Sequence, residues 1–122
     1  MLKSFPQPYR HLGHWVGTND PKPARVVNVN SNGDVTDNLS SPNVLAILSR
    51  RRPDGLVETL HGVIVALKYE RGNKPNVGAT AYLVDDETVS SSSSSGTRPA
   101  LGTAVGDTPD GRVFVYVKGL LK

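Results

Sequence analysis

Residues 84–102 read VDDETVSSSSSSGTRPALG, and the fold turns on what the serine run Ser90–Ser95 separates. On its N-terminal side, "ATAYLV" (Ala79–Val84) alternates like a strand and is followed by the turn-forming "DDET". On its C-terminal side, "ALGTAVG" (Ala100–Gly106) is a small-residue strand, "DTPDG" a turn, and "RVFVYVKG" (Arg112–Gly119) a strong strand. In that last strand Val113, Val115 and Val117 point one way and Phe114 and Tyr116 the other. Both faces are apolar, so both are expected to be covered, one by the domain's own core. A linker would have to divide two units that each own a core, and residues 96–122 are too few to build one. The serine run is therefore expected to be a polar, solvated loop within one β-domain.

The segments upstream carry the same signature. "ARVVNVNSNGDVT" (Ala24–Thr36) reads as a hairpin, with Val27 and Val29 alternating with polar residues and Asn32-Gly33 at the turn. "NVLAILS" (Asn43–Ser49) is a short apolar run that fits a buried strand or two helical turns equally well. "RRRPDG" (Arg50–Gly55) is a turn built on Pro-Asp-Gly. "LVETLHGVIVALKYE" (Leu56–Glu70) reads as a strand with a bulge at Gly62, and "RGNKPNVG" (Arg71–Gly78) as a loop. The sum is six or seven short strands at regular spacing, which predicts an all-β fold, a small barrel or sandwich.

Composition agrees. The chain has 122 residues, enough for one domain, with nine prolines and 12 glycines, a frequency that long helices do not survive. Only 20% of residues are charged and 37% hydrophobic, which points to a small core and much loop. Cysteine is absent, so disulfides and thiolate metal sites are excluded. No apolar run approaches the ~20 residues that span a bilayer, and the start, "MLKSFPQPYRHLGHW", lacks the apolar core of a signal peptide. A soluble, unexported protein is expected.

Residues 1–23 stand apart. Pro6, Pro8, Pro21 and Pro23 keep the backbone extended and bias each preceding residue away from helix. The segment nonetheless carries Phe5, Tyr9, Leu12, Trp15 and Val16, where a disordered tail is poor in aromatics. The expected division is an extended N-terminal arm, 1–23, with aromatic anchors, and a β-domain, 24–122.

Charge is uneven. Residues 1–52 hold seven Lys/Arg against three Asp/Glu, and residues 53–122 seven against eight. Arg50-Arg51-Arg52 is the densest cluster; it suits phosphates, an acidic protein surface, or solvent. His11 and His14 lie three residues apart, but a metal site needs further ligands on a rigid scaffold; ordinary polar contacts are expected. Asp85, Asp86 and Glu87 lack the spaced oxygens of a calcium loop and read as a solvated turn. No phosphate-binding glycine motif and no G-x-S-x-G occurs. No enzyme, metal or cofactor is expected.

Val77–Gly119 carries a resemblance. Ala81-Tyr82 leads to an acidic turn (Asp85 to Val89); a Ser/Thr/Gly-rich loop, the glycine strand with Leu101-Gly102, the Asp110-Gly111 turn and the closing strand Val113 to Val117 follow in order. This order resembles the C-terminal half of tailed-bacteriophage capsid cement, or decoration, proteins of small β-barrel type. The resemblance spans 43 residues, about a third of the chain. It implies a virion protein, made in the host cytoplasm, on the outer surface of an icosahedral head. There it would bind the major capsid protein and copies of itself, often as a trimer. The expected partner-binding residues are Phe5, Tyr9 and Trp15 in the arm, Arg50, Arg51 and Arg52 in the basic turn, and Phe114 and Tyr116 on the last strand. A small β-barrel nucleic-acid module, stacking bases on Trp15 or Tyr9, is the alternative; a tail or neck component is another. Interleaved basic and aromatic residues are missing from the C-terminal strands, so nucleic acid is the less expected partner. No membrane partner is expected.

Overall fold

The computed structural model describes residues 9–40 and 42–118. They form an all-β fold of ten strands: β1 (Tyr9–His14), β2 (Val26–Val29), β3 (Val35–Thr36), β4 (Val44–Arg51), β5 (Leu56–His61), β6 (Val63–Tyr69), β7 (Thr80–Asp85), β8 (Thr88–Ser90), β9 (Ala100–Asp107) and β10 (Val113–Val117). Two sheets result. One is a closed barrel in the order β10-β6-β8-β7-β9, and the other is five-stranded, β1-β5-β4-β2-β3. The ambiguous run 43–49 is strand β4. Its alternate residues serve two cores, Leu45 and Ile47 one and Ala46 and Leu48 the other, a use of side chains that a period of two allows and a helical period does not.

The long strand expected over 56–70 is two strands. Gly62, at φ 72°, turns the chain out of the first sheet after His61 and into the barrel at Val63. That conformation costs a side-chain-bearing residue energy and glycine little. The Gly62 amide donates to the Val117 carbonyl at 2.9 Å, which pins the crossing to β10.

In the barrel, β6 and β8 run parallel and every other pair antiparallel. The interior holds Leu67, Ala81, Leu83, Val89, Leu101, Ala104, Val113, Val115 and Val117, all buried. Val26, Leu45 and Ile47 from the five-stranded sheet join this core, so one face of β2 and β4 packs against the barrel. The acidic turn expected to be merely solvated ties the two sheets together. The Val26 amide donates to the Asp86 carbonyl at 2.7 Å, Arg25 pairs with Asp86 and Glu87 at 3.2 and 3.5 Å, and Lys68 pairs with Glu87 at 3.5 Å.

The five-stranded sheet curls until its edges meet. Trp15, just past β1, bridges Val35 of β3, and the Val16 amide donates to the Val35 carbonyl at 2.8 Å. The enclosed face holds Val27, Val29, Val35, Ala46, Leu48 and Val57, with Trp15 and Val44 packed against them. Gly13 is required at this seam, because a Cβ there would strike the Gly33 carbonyl oxygen. Of the arm expected over 1–23, residues 1–8 lie outside the described residues. From Tyr9 to His14 the segment is a strand in full antiparallel register with β5, Tyr9 opposite His61 and His14 opposite Leu56. The sequence "YRHLGH" is polar on both faces, so alternation gives no signal; the cross-strand partner supplies the order.

The serine run lies between β8 and β9, both staves of the barrel. Its first member, Ser90, is buried in β8 and donates to Glu70 Oε1 at 2.8 Å. Beyond it the loop is anchored rather than freely solvated: Arg98 folds back on Glu70 through both guanidinium nitrogens, at 3.2 and 3.0 Å. Hydrogen bonds from Arg98 first, then Asn73 and Ser90, hold the Glu70 carboxyl well below the usual carboxylate range.

Candidate functional site

A closed barrel has no strand edge to offer, so a partner must be met by side chains. On β10 the interior residues Val113, Val115 and Val117 alternate with Phe114, which is exposed, and Tyr116, which is half-buried with its hydroxyl oxygen covered. Their neighbours are fixed by register: Tyr116 sits opposite Ile64, and Phe114 opposite Ala66, on β6. On the other side Phe114 pairs with Gly106 of β9, whose bare backbone lets the phenyl ring lie 3.9 Å from where a Cβ would stand. A register shift there leaves Val105 unpaired and exposed. Ile64 is 59% exposed, Val105 42% and Phe114 38%. These are large apolar side chains on adjacent strands, and clustering of that kind marks an interaction surface where scattered ones do not. Lys68 and Lys118, both exposed, follow the patch along β6 and β10. Tyr116 also borders an open groove of about 740 Å³ lined by Pro42, Val44, Pro99, Leu101 and Thr103.

The other residues expected to bind a partner are dispersed. Tyr9, at the start of β1, stacks on the His61 ring with centroids 4.4 Å apart. Trp15 packs against the core of the curled sheet, and its Nε1–H donates to the Asn19 carbonyl at 2.9 Å. Phe5 lies outside the described residues. The three arginines do not make one cationic patch. Arg50 and Arg51 are consecutive residues of β4 and point to opposite faces. Arg50 pairs with Glu58 at 3.7 Å, and Glu58 also faces Arg10 at 3.9 Å. Arg52 pairs with Asp54 at 2.9 Å, while Arg51 is exposed.

Sequence spacing pairs His11 with His14; the fold pairs His11 with His61 instead, their rings edge to face at 6.4 Å. No strand period within the arm could signal this, because the partner is 50 residues away on β5. Ile64 and Val105 were likewise hidden: each sits in an apolar strand, and only closure of the barrel decides which face is outside. Among the described residues no group of three or more His, Asp or Glu is arranged to hold a metal ion, and no helix is long and apolar enough to cross a membrane.

Between the curled sheet and the barrel runs a cleft of about 550 Å³, lined by Trp15, Lys22, Arg25, Asp37, Asp86 and Arg98 among others. Four of its charged groups already have partners. Asp37 accepts from the Thr18 and Asn19 amides at 3.1 and 3.0 Å, and Arg25 and Arg98 hold Asp86 and Glu70. The cleft is a structural joint, and the outer face of β6, β9 and β10 is the better candidate for a function.

No family model, curated protein or solved structure matches this chain.

Proposed function

We propose that this chain is a structural virion protein that binds the outer surface of an icosahedral phage head and stabilises it. The contact is made by the outer face of β6, β9 and β10, and the partners are the major capsid protein and neighbouring copies of the chain, as in a trimer. The observation that carries the proposal is the exposed cluster Ile64, Val105 and Phe114 beside Tyr116. Aromatic and aliphatic anchors of this kind supply most of the energy of protein interfaces. Val105, Phe114 and Tyr116 lie within the part of the sequence that resembles decoration proteins, and Ile64 lies before it. Tyr9 and Trp15 contribute to the chain's own fold, which moves the weight of the contact from the arm to the barrel. Stabilisation would be collective: each copy adds a modest interface, and many copies bridging neighbouring subunits resist internal pressure.

The test is co-sedimentation of the purified protein with capsids stripped of accessory proteins, at low and high salt. Saturable pelleting that persists at high salt is expected of an apolar contact. No pelleting, with salt-sensitive retention on DNA instead, would overturn the proposal and favour a nucleic-acid module, whose phosphate contacts weaken steeply as salt rises.

A further inference from the structure

At the open end of the curled sheet sits a cluster that the proposed capsid contact does not use. His61 is 2% exposed, and its Nδ1 is buried with no hydrogen-bond partner. Its Nε2 lies 2.9 Å from Thr59 Oγ1, which is itself 3.5 Å from the His11 carbonyl. Tyr9 stacks on the imidazole at 4.4 Å, nearly parallel at 9°, and His11 meets it edge-on. His11 Nε2 donates to the Gly33 carbonyl at 2.7 Å, the side-chain tie between β1 and the β2–β3 loop at the seam. Apart from the His61–Thr59 bond within β5, each of these contacts joins β1 to the rest of the sheet. We propose that His61 and its partners Tyr9, His11 and Thr59 form an acid-sensitive latch that holds β1 in its sheet at neutral pH and releases it on acidification.

The physical argument is local. Buried imidazole is tolerated when neutral; an added proton would put charge at an apolar site already facing a second histidine. The groups that face His61 offer nothing to offset it. From β1 they are Tyr9 and His11, and the paired region of β4 presents Leu48 on this face, opposite Thr59. Beyond Gly62 the chain continues as Val63, beside Val117 of β10. Glu58 lies on the other face of β5 with Arg10 and Arg50. Asp34, next to Gly33, is the carboxylate of the seam loop, and among the described residues no ion pair joins a carboxylate to either histidine. Burial first, and then the charge of His11, lower the His61 pKa from 6.5 to about 4. The cheapest way for His61 to accept a proton is for β1 to leave. β1 is an edge strand of six residues whose far edge meets β3 only near Trp15, so it can part without opening the barrel.

The experiment is amide hydrogen exchange on the full chain between pH 7 and pH 5, read as protection factors for β1 and β10, with Trp15 fluorescence followed in parallel. Trp15 is the sole tryptophan and lies one residue past β1, so its emission reports the same event. A histidine that titrates at 6.5 when released and about 4 when latched weakens the closed state roughly twentyfold over that interval. Protection of β1 should fall by about that factor while β10 is unchanged. His61→Gln, which keeps a donor toward Thr59 but cannot charge, should abolish the fall; His11→Gln should shrink it. Parallel loss of protection in β1 and β10, or no fall at all in the wild-type chain, would overturn the latch. So would an undiminished fall in His61→Gln.

Discussion

Two glycines of β9 give a matched pair of perturbations. A Cβ built on Gly102 would land on the Tyr116 carbonyl oxygen, far inside contact distance, and 3.3 Å from Val115 Cγ1. The oxygen is backbone of β10, fixed by the ladder that pairs Val115 with Ala104 and Tyr116 with Thr103. It cannot swing aside as a side-chain tip would, so Gly102→Ala must displace one of the two strands that close the barrel. Overpacking of this sort costs about 1–3 kcal/mol. Against it stands the gain from a less flexible unfolded chain, about 0.4–1 kcal/mol when the backbone angles suit alanine. The balance is a loss of about 1.3 kcal/mol. Gly106, four residues on, is the control: its Cβ would meet only Phe114 Cδ2, at 3.9 Å. Gly106→Ala should be neutral or slightly stabilising. In urea, with a slope of about 2 kcal/mol/M, Gly102→Ala should lower the midpoint by about 0.6 M and Gly106→Ala should not lower it. Equal midpoints for the two variants would refute the placement of β9 against β10.

Gly62→Ala forces a side chain into a left-handed conformation where the chain passes between sheets, and should cost about 1–2 kcal/mol, measured as a lowered melting temperature. Arg98→Ala removes the leading cause of the depressed Glu70 pKa. A carboxylate so depressed adds stability above its unfolded pKa that is lost as pH falls toward the folded value. The wild-type urea midpoint should therefore fall more steeply below pH 4.5 than the variant's, and exchange in residues 91–97 should quicken in the variant. Phe114→Ser should leave the urea midpoint nearly unmoved, since surface changes stay within about 0.5 kcal/mol. It should weaken capsid binding by about 2 kcal/mol, some thirtyfold, in a pelleting titration.

The β class was legible because strand signals are local. Val113 to Val117 alternate without interruption, the turns carry Pro-Asp-Gly and Asp-Gly, and proline and glycine leave no room for helix. Closure was not legible. Whether Ile64 or Val63 faces water depends on which strand lies beside β6, and that is a matter of non-local pairing. The ten strands exceed the six or seven expected for three reasons. Gly62 splits one long strand into two; "TVS" (Thr88–Ser90) is too short to announce itself; and β1 has no apolar period at all. The turn at Asn32-Gly33 was expected to be tight, yet the hairpin closes through a five-residue loop, Asn30–Asp34. Asn30 Oδ1 accepts from the Asn32 and Asp34 amides at 2.9 and 3.0 Å. Of the site, Phe114 and Tyr116 could be named from the two-faced pattern of their strand. Ile64, Val105 and the His11–His61 pair required the fold.

The most direct test of the capsid contact is hydroxyl-radical footprinting of the chain, free and bound to stripped capsids. Phe114, Tyr116, Ile64 and Val105 should lose reactivity together on binding, while Val77 and Val16, exposed elsewhere, keep theirs. If the β6–β9–β10 face stayed fully reactive on the particle while Tyr9, Leu12 and the residues around Arg50 became protected, the contact would lie on the curled sheet and the assignment of the barrel face would be wrong.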